Sequence, residues 1–361
     1  MRNATMNQLS FFPDLISPLD TKHYPSTRYQ GSKSKIVDWV VTHLPNSALD
    51  TCLDAFGGTG VVAYALKKRG ICVTYNDNLR FNALIGKALI ENNFIRLSDE
   101  TLAKIVNAPC ITDGVIAKHF HDIYFTDEEN IWLDSTVQTI YTIENPYEQA
   151  IAFFALFQAC IVKRPYNLFH RKNLYIRTAE VERSFGNKAS WDKPFVEWFQ
   201  EFITEANQAI FDNQRTNLAL NEDVFTVNQT YDLVYFDPPY INKSGVGVDY
   251  HDFYHFLEGI AQYEVWEEMI DFHSKHRRLL PQKSVWADKQ KITGAFYQLF
   301  EQFESSDWMV SYRSDGIPSI EELADMMRHF KPSVQIEVMP NYQYALSKNK
   351  NSSEVLLIGT A

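Results

Sequence analysis

Apolar positions change period several times along the chain. Ile36, Val37, Val40, Val41 and Leu44 recur at helical spacing. Residues 49–56 (Leu-Asp-Thr-Cys-Leu-Asp-Ala-Phe) read as a buried strand, and Gly57-Gly58-Thr59-Gly60 as a tight loop. The stretch from there to Lys68 or Arg69 reads as an amphipathic helix stopped by Gly70. Residues 71–75 predict a second strand running into Asn76-Asp77-Asn78, and 79–94 a further helix. From about 95 to 220 this alternation is lost. Helical patterns dominate there, at 127–143, 147–162 and 191–211. Strands return at 232–236, 284–287 and 309–314, separated by helical patterns at 257–273, 290–303 and 319–329. Residues 334–339 and 354–359 read as a terminal antiparallel pair. The whole predicts an α/β chain interrupted by one mainly helical insertion.

The stretch around the third strand carries the most chemistry. Asp232-Leu233-Val234-Tyr235-Phe236 runs directly into Asp237-Pro238-Pro239-Tyr240. Neither proline can donate to a ladder, so the strand stops there. In an open α/β sheet the carboxyl ends of strands are where ligands bind. Asp237 presents an acceptor carboxylate, Pro238 a carbonyl with no donor beside it, and Tyr240 an aromatic face. These groups suit a planar base bearing an amino group: two acceptors take its N–H groups while the ring is stacked. Holding the amine toward tetrahedral geometry frees its lone pair, a positional and electrostatic form of catalysis.

The first β–loop–α–β unit supplies a cofactor signature. Gly58-x-Gly60-x-x-Ala63 satisfies the dinucleotide fingerprint, and Asp77 follows at the end of the second strand, near the spacing of a carboxylate that grips ribose hydroxyls. Alone, the unit points to an adenosine-containing cofactor and does not separate a nicotinamide from S-adenosylmethionine. Upstream, Tyr29-Gln30-Gly31-Ser32-Lys33 precedes a helix start and offers backbone N–H groups and a cation to an anion. Asp223 either accepts from a cofactor adenine or caps a turn.

Composition narrows the field. With 361 residues, 45% of them hydrophobic and 14% aromatic, the chain holds one large core or two ordinary ones. Cys52, Cys72, Cys110 and Cys160 lack CxxC or CxxH spacing, which argues for reduced thiols rather than a zinc or disulfide framework, and no metal is expected. No apolar run reaches the roughly 18 residues of a membrane span. Residues 1–23 read as a weakly ordered lead-in without the apolar core of a signal peptide, so a cytoplasmic protein is expected. A net charge of −11 argues against non-specific coating of nucleic acid, yet cations are concentrated locally. Residues 163–177 carry Lys163, Arg164, Arg171, Lys172 and Arg177 with no acid. Residues 275–291 carry six cations against only Asp288. Either run is also compatible with a plain solvated face. In the first, Tyr166, Asn167, His170 and Asn173 interleave with the cations, the mixture that contacts phosphates and base edges. An aromatic or Asn there can fill the gap left by an extruded base. Gly245 and Gly247, in a polar stretch after Tyr240, suggest a mobile loop beside the site.

Taken together, Tyr29–Lys33, Gly57–Gly60, Asp77 and Asp237–Tyr240, in that order and strand context, give a chain that resembles the D12-class N6-adenine DNA methyltransferases. The resemblance covers roughly residues 24–95 and 220–361. It implies a Rossmann-like, S-adenosylmethionine-dependent methyltransferase sheet, mostly parallel with an antiparallel last strand. The catalytic domain would span 24–94 and 221–361, and the target-recognition region 95–220. Tyr29 and Lys33 match positions that contact S-adenosylmethionine. Phe56, Gly57, Gly58 and Gly60 match the loop around its methionine part, and Asp77 the carboxylate on its ribose. Gly31, Asp54, Asn78 and Asp223 stand beside them as candidate cofactor contacts. Asp237, Pro238, Pro239 and Tyr240 match the catalytic tetrapeptide. Lys163, Arg164, Tyr166, Asn167, His170, Arg171 and Asn173 lie in a segment similar to one that touches DNA in relatives. The implied reaction is direct methyl transfer to the N6 amino group of an adenine flipped out of duplex DNA. The implied setting is restriction–modification, with any cognate endonuclease acting separately and a monomer sufficient for the chemistry.

Two rivals remain in view. An N4-cytosine methyltransferase needs the same amine-acceptor geometry but usually carries Ser where Asp237 stands. A nicotinamide-dependent oxidoreductase explains Gly58–Ala63 and Asp77 but leaves Asp237–Tyr240 and the basic insert without a role. A cytosine-carbon enzyme would need a nucleophilic cysteine, and Pro109-Cys110 lies far from any expected strand end.

Overall fold

The computed structural model describes residues 23–180, 188–242, 245, 247–339 and 352–360. Residues 1–22 of the expected lead-in lie outside it, as do Lys243, Ser244 and Val246 of the loop expected after Tyr240. Nine strands are seen among the described residues: β1 (Thr51–Asp54), β2 (Cys72–Asn76), β3 (Leu218–Leu220), β4 (Leu233–Phe236), β5 (Ile241–Asn242), β6 (Asp307–Arg313), β7 (Gly316–Ile317), β8 (Ser333–Val338) and β9 (Glu354–Thr360). Seven form one sheet in the order β3-β2-β1-β4-β6-β9-β8, while β5 and β7 pair separately. The first five of these run parallel, and β9 inserts antiparallel between β6 and β8. This is the mostly parallel, Rossmann-like sheet that the resemblance implies, with the terminal antiparallel pair where the pattern placed it.

Burial explains which strands lie centrally. All four β4 residues are buried, as a strand covered by helices on both faces must be. Residues of β8 at the sheet edge, such as Ile336 and Val338, stay exposed. The chain leaves β1 toward β2 and leaves β4 toward β6, on opposite sides. The crevice between the carboxyl ends of β1 and β4 is therefore the topological switch point, where such sheets bind ligands.

The helix Pro146–Val162 is buried on nearly every side from Ala150 onward, the signature of an interior helix. It packs against Phe195–Ala209 and against Arg80–Gly86 of the sheet layer. One continuous apolar cluster therefore joins the helical insertion to the sheet, and a second fills the opposite face around Phe296, Phe300 and Trp308.

Three expectations are corrected. Leu218–Leu220 joins the sheet as its edge strand β3, before the boundary expected at 221; three residues are too short to show a period. The strand expected at 284–287 is a single 3-10 turn, Val285–Ala287, because the Ser284 hydroxyl accepts from the Trp286 N–H and closes it (3.2 Å). The helix expected at 257–273 breaks into His255–Ala261, a 3-10 turn and Trp266–Met269. Gly259 has no side chain, and the Trp266 ring occupies that space, so the chain folds back on itself there.

Candidate active site at the carboxyl end of the sheet

The Gly57–Gly60 loop leaves β1 and turns at once into the helix Val61–Lys68. Gly60 caps that helix with φ +80°, a conformation that favours glycine. Gly57 is required for a different reason: a Cβ there would strike the Tyr75 ring at 2.0 Å. That ring is fixed because its hydroxyl donates to the Gly58 carbonyl (2.6 Å). Asn76, which sequence reasoning passed over, ties the strand ends together. Its amide donates to the carbonyls of Ala55 and Glu222, and its oxygen accepts from the Glu222 N–H.

Asp77 leaves β2 toward the same crevice. It accepts from the N–H groups of Gly58 (2.9 Å) and Leu79 (2.8 Å) and from the Asn82 amide (3.2 Å). Burial still outweighs these bonds and pushes its carboxyl up to about 6. Asp54, at the end of β1, is 1% exposed, and its Oδ1 has no hydrogen-bond partner. Burial first, and the nearby Asp237 charge second, raise it to about 8. A buried, half-satisfied carboxyl is costly unless a ligand completes it.

Tyr29 reaches the crevice from the N-terminal segment. Its ring stacks on Tyr254 (4.4 Å between centroids) and on Tyr250 (5.6 Å). Gly31 (φ +86°) passes so close to the Tyr250 hydroxyl that a Cβ would meet it at 2.4 Å. Lys33 differs most from its expected part. Its Nζ pairs with Asp237 Oδ1 at 2.7 Å and with Glu354 Oε1 at 3.3 Å. Glu354 opens β9, is 1% exposed, and also accepts from the Ser311 hydroxyl. An acid beginning an otherwise apolar strand was the available signal for it. Burial raises the Asp237 carboxyl to about 6, with the Lys33 ammonium offsetting part of the rise and the Glu354 charge adding to it. Among the described residues no donor meets Asp237 Oδ2.

Tyr240 is held from β6. Arg313 donates to its hydroxyl (3.1 Å) and lies over its ring, and Asp315 grips the same guanidinium at 2.8 and 3.0 Å. Asp223 caps its own turn, accepting from the Phe225 N–H (3.1 Å), and also lines the crevice. Phe225 and Trp286 stand there as a stacked aromatic pair (5.9 Å) that the sequence pattern did not single out.

These elements enclose a cavity of about 310 Å³. Tyr29, Gly31, Lys33, Asp54, Phe56, Gly57, Gly58, Asp77, Asn78 and Asp223 line it together with Asp237 and Pro239. Gly60 caps the helix that follows this loop, Pro238 is buried, and Tyr240 is half-buried. Its chemistry suits a ligand with hydroxyls, a positive charge and an aromatic ring.

The basic insert is placed differently. Lys163 and Arg164 are each 1% exposed and face inward. Lys163 pairs with Glu129 (2.8 Å) and donates to the carbonyls of Trp191 and Lys193. Arg164 lies over the Tyr124 ring and donates to the carbonyls of Leu168 and Arg171. Arg177 completes the buried group with a two-pronged pair to Glu129. Asn173 is buried as well. The expectation that Lys163, Arg164 and Asn173 form a DNA-facing surface is therefore corrected: all three are buried, and Lys163 and Arg164 hold the loop's shape. Lys163 directly follows an interior helix, which is why it enters the core. Tyr166 (60% exposed), Asn167, His170 and Arg171 remain at the surface. Tyr166 and Asn167 are consecutive non-glycine residues with positive φ (65° and 59°), a strained tip that the packing below maintains.

The family model for D12 class N6 adenine-specific DNA methyltransferases matches residues 29–275. The Type II methyltransferase M2.HphI of Haemophilus parahaemolyticus is 30% identical over 348 residues, covering 94% of this chain and 98% of that protein. The Type II methyltransferase M.FokI of Planomicrobium okeanokoites (26% identical) and the modification methylase StsI of Streptococcus sanguinis (27%) each match 91% of this chain. The chain spans 51% of the length of each of these two. No helix among the described residues is long and apolar enough to cross a membrane.

Proposed function

The chain belongs to the D12 class of N6 adenine-specific DNA methyltransferases, and from that premise we propose how its residues divide the work. The observation that carries the reading is the convergence of Asp54, Asp77 and Asp237, from three different strand ends, on one cavity. The cofactor is S-adenosylmethionine, which when bound supplies an electrophilic methyl group. The orphaned Oδ1 of Asp54 fits its positively charged methionine part, Asp77 its ribose hydroxyls, and Asp223 with Phe225 its adenine. The Gly57–Gly58 backbone allows close approach.

The substrate is an adenine flipped from duplex DNA, because its amino group is otherwise paired and out of reach. Asp237 Oδ2 and the Pro238 carbonyl accept the two amine N–H groups. Lys33, itself paired with Glu354, offsets part of the burial cost of the Asp237 carboxylate and keeps it aimed. Tyr240, clamped by Arg313 and Asp315, stacks on the base. The amine loses its proton after transfer, and no strong base is needed. Tyr166 and Asn167, on their strained exposed tip, occupy the space the base leaves in the duplex. The protein acts as a monomer in restriction–modification, and any cognate endonuclease acts separately.

Product analysis tests this. Labelled S-adenosylmethionine is incubated with unmodified DNA, and the DNA is digested to nucleosides. Label in N6-methyladenine is expected. Label in N4-methylcytosine overturns the assignment of the base, and no incorporation overturns the reading.

A further inference from the structure

With Lys163 and Arg164 spent inside the fold, the DNA backbone needs another cationic surface. We propose that the loop at residues 271–283 supplies it, as a phosphate-binding wall between the active-site cavity and the recognition loop; this rests on the DNA methyltransferase reading above.

The loop is built rather than slack. Ile270 and Leu279 form an antiparallel bridge, and Asp271 N–H donates to the Arg278 carbonyl (2.8 Å). Asp271 also accepts from the His273 N–H (3.0 Å) and from Arg278 Nε (3.2 Å). The one acid of the loop is thus consumed in shaping it. Lys275, Arg277 and Lys283 make no ion pair among the described residues, and Lys275 and Lys283 are exposed. Arg277 lies over the half-exposed Phe272 ring (5.4 Å). In a chain of net charge −11, such a cluster is a local cationic field, and a polyanion is the partner that complements it.

Its position fits the duplex. Downstream, Gln282, Lys283 and Ser284 line the active-site cavity. On the other side, the Tyr124 hydroxyl sits between the carbonyls of Phe169 and His276 (3.0 Å to the latter) and 2.7 Å from His255 Nε2. Phe169 N–H in turn donates to the Phe253 carbonyl (2.9 Å). The loop is therefore fastened at its base to the segment carrying Tyr166 and Asn167. A duplex whose base enters the cavity while Tyr166 fills its gap must pass this wall.

Binding of a mixed-sequence, unmodified duplex is measured against salt for the wild type, for the double variant Lys275→Gln, Arg277→Gln, and for Lys163→Gln. Each phosphate contact contributes about 0.9 to the slope of log K against log salt, so the double variant is expected to be shallower by about 2. Lys163→Gln is expected to keep the wild-type slope while losing thermal stability. Raised KM for DNA with unchanged kcat is expected to accompany the shallower slope. Wild-type slope in the double variant, with wild-type DNA methylation intact, overturns the wall and leaves the reading of the enzyme standing. A wild type that neither binds nor methylates DNA overturns both.

Discussion

The cavity at the carboxyl ends of β1, β2 and β4 and the loop from Lys163 to Asn173 are both rich in ionisable groups, but the groups have opposite surroundings. In the loop every buried cation is answered from within. Glu129 meets Lys163 and Arg177, and carbonyls of Leu168 and Arg171 meet Arg164. In the cavity two of the three carboxylates are left short: Asp54 Oδ1 is orphaned, and Asp237 is met by Lys33 at Oδ1 with no donor to Oδ2 among the described residues, while Asp77 is met by three donors. The contrast teaches that charge alone does not mark a binding group. Lys163 and Arg164 are met from within the fold and shape it, whereas Asp54 Oδ1 at a cavity wall has no partner and leaves room for a ligand.

The largest effect that would break this contrast lies in the loop. Glu129→Gln leaves two buried cations facing a neutral group, and losing one side of such a network costs about 3–5 kcal/mol. Denaturant titration is expected to show that loss. A variant as stable as the wild type would mean the loop cations are solvated after all.

A smaller effect sharpens the cavity side. In the ligand-free protein Asp54 titrates near 8, far above its ordinary value near 4. Between about pH 4 and 8 the folded state therefore holds a proton that the unfolded state has released, and stability falls as pH rises through that window. A cation placed against Asp54 lowers its pKa again, so cofactor binding near pH 7 is expected to release a proton. Calorimetry of S-adenosylmethionine binding in buffers of different ionisation enthalpy measures this, and Asp54→Asn is expected to abolish most of it. Proton uptake, or release unchanged in the variant, would contradict the placement.

The same contrast explains what was legible in the sequence. Strand ends announce themselves: apolar runs stop at Gly57, at Asn76-Asp77 and at Asp237-Pro238, so the cavity's floor and its three carboxylates follow from the chain's own punctuation. The antiparallel β8–β9 pair was equally readable. The partners were not. Glu354 lies 321 positions from Lys33 along the chain, and Glu129 lies 34 before Lys163; nothing local says that either pair meets. Nor could three residues reveal β3, or an isolated glycine the break before Trp266. The basic run at 163–177 misled because a cation's direction is set by the helix it follows, and that helix is interior.

The claim that an incompletely partnered carboxylate does the work is tested most directly by Asp237→Ala, assayed for methyl transfer, for DNA and cofactor binding, and for thermal stability in parallel. Transfer is expected to fall by about a hundred- to a thousandfold or more, the scale of losing an electrostatic contact made at the reacting atom, with binding retained and a smaller loss of stability than in Glu129→Gln, because Glu354 still meets Lys33. Retained transfer, or a parallel loss of folding and binding, would contradict it.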